Sequence, residues 1–215
     1  MKVRTLAFVA YTFLAVTVVA SDSDAGIVRD LMVSIHVAKP PAASAAGLPR
    51  KGFACCNLHY SKDWISDANY TELQLIPVGT PIEVLSYGSN RAYVKVDGKP
   101  MRLGHDYGRD QESLEAWVNK IVVADDPRPL IATWPQVIQD CIEQGKVMVG
   151  MTREQAIASV GYPMTSENIS LDAPTWKLWR SSRSEYDLHF KPNGRIGSIT
   201  GDDDVTSQVI YHPGQ

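Results

Sequence analysis

Apolar and polar residues alternate most clearly over Arg91–Val96. There Ala92, Val94 and Val96 fall on one side and Arg91, Tyr93 and Lys95 on the other. A period of two predicts a half-buried strand. Ile82–Tyr87 is a second strand, entered from the turn Pro77–Pro81 and joined to the first by Gly88-Ser89-Asn90. Asp97-Gly98 predicts a hairpin turn that returns into Pro100–Leu103. The period then changes. Leu114, Trp117, Val118 and Ile121 lie at i, i+3, i+4 and i+7, which predicts an amphipathic helix with Asp110 as its cap. A further helix is predicted from Pro135, at its first position, to Gln144. Val137, Ile138, Cys141 and Ile142 share one face, and Gly145 stands just past its end.

Gly150–Pro163 has both helix ends written into it. Thr152 is an N-cap and Gln155, three residues on, can reach back to it, forming a capping box. Ile157 and Val160 make one apolar stripe, Gly161 supplies a left-handed cap, and Pro163 stops the helix. The segments beyond Pro163 read as strands: Thr175–Arg180, then Glu185–Lys191 with Tyr186, Leu188 and Phe190 on one face, then Arg195–Thr200 after an Asn193-Gly194 turn of type I′. Two helices on a three-stranded antiparallel sheet make an α+β layer pair.

These elements predict an α+β chain in two parts, 53–125 and 130–200, with Asp125–Pro129 between them and a polar tail over 201–215. The strand rhythm of the first part resembles bacterial SH3-like modules, closed by a C-terminal helix. In the second part, the Gly-Met-Thr-x-x-Gln helix ends in Gly-x-Pro and leads to a tryptophan-bearing strand and a hairpin. This pattern resembles the BamE (SmpA/OmlA) family of outer-membrane assembly lipoproteins, over Trp134–Thr200. The resemblance implies an α-α-β-β-β two-layer unit that binds another envelope protein, of unknown identity, in outer-membrane assembly or envelope integrity. The wider fold is shared with small β-lactamase-inhibitor domains. An inhibitor or ligand-binding module using the exposed sheet face is therefore an alternative, because one scaffold carries unrelated sites.

The N-terminus adds a location. Lys2 and Arg4 precede the apolar run Leu6–Ala20, and small residues stand before Ser21. This is the layout of a secretory signal peptide over 1–20, about 15 apolar residues being short for a membrane span. No cysteine ends the run, so the expectation is a periplasmic protein, associated with the outer membrane, without a lipid anchor or a stable span after processing. Residues 21–52, with Lys39-Pro40-Pro41, read as a flexible linker. A net charge of −3 without a dense basic patch excludes a nucleic-acid partner.

Candidate chemistry changes this picture little. Cys55, Cys56 and Cys141 are the three cysteines. Export implies an oxidising compartment, and neighbouring cysteines rarely bond, so Cys141 paired with Cys55 or Cys56 is expected, leaving one thiol over. Cys55-Cys56-x-x-His59 lacks zinc spacing, and Asp202-Asp203-Asp204 lacks a calcium-loop pattern. No metal or other cofactor is therefore expected. His105, Asp106 and Tyr107 sit in a glycine-flanked loop. They are candidates for proton transfer in an enzyme or for ligand contact, but no nucleophile motif accompanies them. The plainer reading is Asp106 binding backbone amides and Tyr107 packing beside the barrel. Trp176 and Trp179 are three apart on one strand and so face opposite ways. One enters the core, and the other, with Tyr162, is a candidate partner contact. The expectation is a non-enzymatic binding module.

Overall fold

The Arg91–Val96 strand lies at the centre of the larger of two sheets. The structure is a computed structural model and describes residues 47–214. The signal peptide over 1–20 and all of the 21–52 linker before residue 47 lie outside the described residues. The larger sheet holds β1 (Arg50–Ala54), β2 (Leu58–Ser61), β3 (Trp64–Ser66), β4 (Gln74–Ile76), β5 (Pro81–Tyr87), β6 (Arg91–Val96), β7 (Lys99–Gly104) and β8 (Val122–Val123). Its order is β4-β2-β3-β7-β6-β5-β1-β8, and β3 and β7 run parallel. The alternation in β6 does what period two requires: Ala92, Val94 and Val96 are buried opposite Leu103, Met101, Val84 and Ile82. Asp97 and Gly98 both take positive φ, 47° and 78°, as their hairpin turn demands. The pairing of β5 with β6 shifts register between Val84 and Ser86, and Leu85, next to the buried Val84, faces outward.

Helix α1 (Leu114–Ile121) lays Trp117, Val118 and Ile121 on this sheet's core. It starts later than Asp110 would place it. Ser113 is the cap, its hydroxyl accepting the Ala116 N–H at 3.1 Å. Arg50–Gly52, expected at the end of the linker, belong to β1, paired with β5.

The smaller sheet holds β9 (Thr175–Ser181), β10 (Ser184–Phe190) and β11 (Ile196–Gly201), in the order β11-β10-β9. A short helix, α2 (Arg128–Ile131), leads to α3 (Gln136–Glu143), which has Pro135 at its N-cap, and to α4 (Arg153–Val160). In α4 the capping box is present. Thr152 accepts the Gln155 N–H at 3.2 Å, and Gln155 accepts the Thr152 N–H at 2.9 Å. The single apolar stripe is not what α4 buries: Gln155, Ala156, Ala158, Ser159 and Val160 are all inside, because the helix is covered on more than one side. The hairpin after β10 is not type I′. Gly194 has positive φ but Asn193 does not, and Asn193 instead accepts the Arg195 N–H through its side chain at 3.1 Å. Residues 201–215 are more than a polar tail. Asp203–Val209 form α5, which buries Val205 and Val209 and places Asp203 and Asp204 in the first turn, where the helix dipole favours them.

The protein is therefore mixed α+β, with a large curled sheet, a small sheet and five short helices among the described residues. Two core clusters form, one per sheet, and Ile157 packs against both. No described helix is long and apolar enough to cross a membrane.

Candidate functional site

Because β3 and β7 are parallel neighbours, with Ser66 beside Gly104, their C-terminal ends deliver two loops to one place. One loop is Asp67–Tyr70 and the other is His105–Gly108. Asp67 organises both. Its carboxylate accepts backbone N–H groups from Asp106 at 3.1 Å, Tyr107 at 3.0 Å and Gly108 at 2.8 Å, and the Ser66 hydroxyl at 3.3 Å. The amide-binding carboxylate of this loop is thus Asp67, not Asp106.

His105 Nδ1 lies 3.0 Å from Asp67 Oδ2 without hydrogen-bond alignment, and both side chains are almost fully buried. Its Nε2 is 3.0 Å from the Glu112 carbonyl. A carbonyl only accepts, so Nε2 carries a proton. The ring also stacks on Trp117, with centroids 5.3 Å apart. His105 is thus a packed, buried side chain that fixes the loop to α1.

Asp106 and Tyr107 face a cleft of about 260 Å³ instead. Asp106 Oδ2 accepts the Trp64 indole N–H at 3.2 Å and lies 3.4 Å from the Ser66 hydroxyl, whose single proton it shares with Asp67. Trp64 reaches this position only because Gly104 lies beneath it; a Cβ there would overlap the indole ring. Tyr107 does not pack beside the barrel but is half exposed, and its hydroxyl accepts that of Tyr70 at 3.1 Å. Burial, then the Tyr107 hydrogen bond, then the charges of Tyr107, Asp67 and Glu167 push the Tyr70 phenol well above its ordinary range.

Trp64 also carries two guanidinium groups, Arg91 at 4.9 Å and Arg102 at 5.1 Å from the ring centroid. Arg102 is held by Asp63 through two bonds of 2.7 and 2.8 Å. Arg91 has no carboxylate partner among the described residues. Tyr93, opposite Arg102 on the next strand, is 46% exposed. Sequence reasoning finds the strands that carry Arg91, Tyr93 and Arg102 but misses Trp64, because β3 is three residues long and shows no measurable period.

The remaining candidates lie elsewhere. Trp176 is in the second core, edge-on to Phe190 at 4.7 Å, and its indole donates to the Leu171 carbonyl. Trp179 points to the other side of the sheet as expected, and the protein partly covers it. Its N–H donates to Glu167 at 3.1 Å, and β9's edge is occupied by Asn168, which bonds both the N–H and the carbonyl of Lys177. Tyr162 packs on the first core with the Lys120 ammonium 5.2 Å from its ring centroid.

The cysteine pairing differs from expectation. Cys55 and Cys56 are bonded to each other, and Cys141 is a free, buried thiol that burial pushes up to about 11. What ties the two cores together is amide chemistry. Asn57 donates to the carbonyls of Ile142 and Ser159, at 2.5 and 2.9 Å, and accepts the Val78 N–H at 2.9 Å. Among the described residues no group of three His, Cys, Asp or Glu side chains is placed to hold a metal ion.

Compared with known proteins, the chain matches no family model, no curated protein and no solved structure.

Proposed function

We propose that this chain is an exported, non-enzymatic protein-binding module of the periplasm, formed by an SH3-like β unit and a BamE-like α+β unit. On this reading it serves outer-membrane assembly or envelope integrity by docking one envelope protein. The observation that supports it best is the face made by Trp64, Arg91, Tyr93 and Arg102. Tryptophan, tyrosine and arginine are the residues that dominate binding energy at interface centres. Here a half-exposed tyrosine and a guanidinium without a carboxylate lie beside a tryptophan locked in place from below. The outer face of the small sheet is a weaker candidate, because its charges already satisfy one another: Lys177 pairs with Glu185 at 2.9 Å and Trp179 with Glu167.

Affinity capture from envelope extract, with the wild-type chain and an Arg91→Ala/Tyr93→Ala variant side by side, tests the reading. A partner held by the wild type and lost by the variant is the expected result. The absence of any envelope protein on the wild-type chain, or its equal retention by the variant, removes it.

A further inference from the structure

The cleft beside the Trp64 face has a composition of its own. It is lined by Trp64, Tyr70, Tyr107 and Asp106 among others, and by no lysine or arginine. Asp106 is the single formally charged side chain at its surface. Oδ2 of this carboxylate takes the Trp64 N–H and shares the one Ser66 hydroxyl proton with Asp67, whereas Oδ1 has no hydrogen-bond donor among the described residues and is left as an unused acceptor. The two tyrosine hydroxyls are linked, Tyr70 donating to Tyr107, which fixes the rings as a wall.

Rings present a negative face to a cation, and a carboxylate accepts N–H donors with charge assistance. A volume of about 260 Å³ is below that of sites for drug-sized ligands and suits a single short chain. We propose that this cleft binds a primary ammonium group on a short aliphatic chain, its N–H donors on Asp106 Oδ1 and its methylenes against Tyr70, Tyr107 and the Trp64 edge. The same chemistry is carried by a free small amine and by a lysine side chain of a polypeptide. This proposal does not rest on the protein-partner reading above, since Arg91, Tyr93 and Arg102 do not line the cleft and its charge comes from Asp106.

The experiment is a titration of the protein with n-butylammonium, read at the indole N–H resonances. The Trp64 signal is assigned by Trp64→Phe. Because the Trp64 N–H donates to Asp106, occupation of the cleft moves that one resonance. Saturation with a Kd on the order of 1 mM is expected. Butanol and butyrate, the neutral and anionic isosteres, are expected to bind at least about tenfold more weakly. Asp106→Asn keeps the acceptor for Trp64 and removes the charge, and is expected to weaken butylammonium by about tenfold or more. Tyr70→Phe, which breaks the hydroxyl link without touching Asp106, is the second variant and is expected to weaken binding less. Absence of saturation by about 50 mM, equal binding of butanol, or unchanged affinity in Asp106→Asn would each overturn the proposal. A lysine-containing peptide run against butylammonium then identifies the source, tighter binding of the peptide placing the amine on a polypeptide.

Discussion

Asn69 donates its side-chain amide to the main-chain carbonyl of Asn57 at 3.2 Å, and each of the two asparagines also reaches into the second core. Asn69 bonds the Val160 carbonyl at 2.8 Å, and Asn57 bonds those of Ile142 and Ser159. Both side chains are buried, so a group that depends on one of them alone would lie without water if that side chain were removed. Asn57→Ala would strand the Ser159 carbonyl and the Val78 N–H, while the Ile142 carbonyl keeps the Gly145 N–H at 3.1 Å, and is expected to cost about 2–4 kcal/mol. Asn69→Ala is expected to cost a similar amount, and the double variant less than the sum, because the two share one network. Denaturant melts of the three variants measure this. Full additivity would mean that the asparagines act separately.

The end of α4 belongs to the same junction. Gly161 has φ of 82°, and a Cβ there would overlap the Asn69 side-chain nitrogen. Gly161→Val is therefore expected to be worse than loss of the N-cap. Thr152→Ala removes one acceptor at an accessible helix end and should cost about 1 kcal/mol. Gly161→Val combines a strained backbone with displacement of Asn69, and about 3 kcal/mol or more is expected. Equal melts for the two variants would show that the helix end does not press on Asn69.

Element length decides how much of this is legible in the sequence. The six-residue strand Arg91–Val96, the helix with Leu114, Trp117, Val118 and Ile121, and the capping box each hold enough residues for a period or a paired signal to stand out. Strands β2 and β3 are too short for that, so nothing local marks the carboxylate that organises the candidate site, Asp67, or the tryptophan on its face, Trp64. The density of polar groups in the loop His105–Gly108 does stand out. The amide-binding role expected of Asp106 belongs to Asp67, about 40 residues away, and pairing of parallel strands leaves no local mark in a sequence. Asn57 and Asn69 are ordinary loop residues by type, and their burial is a property of the packed cores alone.

The cysteines yield a direct chemical prediction. Protein isolated without reductant and then denatured should release one titratable thiol, from Cys141. Non-reducing peptide mapping should find Cys55 and Cys56 bonded within a single peptide. In the native state Cys141 should resist alkylation at neutral pH, because it is fully covered and burial holds its thiol protonated, with a pKa raised to about 11. A crosslink between the Cys141 peptide and the Cys55-Cys56 peptide would contradict the observed pairing.

His59 makes the fold sensitive to acid. Its side chain is 3% exposed, and its Nδ1 lies 3.3 Å from Asn69 Oδ1. The Asn69 nitrogen is committed to two carbonyls, so that oxygen is an acceptor and His59 Nδ1 carries the proton. Burial lowers the ring's pKa from 6.5 to about 4, and the Asn69 bond offsets this in part. Between those two values the unfolded chain holds a proton on His59 that the folded protein rejects, so the free energy of unfolding rises with pH across that window. The contribution is fully present above about pH 6.5, is lost as the pH falls towards 4, and stays flat below that, where both states are protonated. The full swing is about 3 kcal/mol. His59→Gln keeps an N–H donor and does not titrate. Subtracting its unfolding free energy from that of the wild type, pH by pH, cancels the carboxylates common to both. The difference should shift against the wild type by about 3 kcal/mol between pH 7 and pH 4. A difference that stays level across that range would mean that the folded protein admits a protonated His59, and that the junction beside Asn69 opens to water before the cores do.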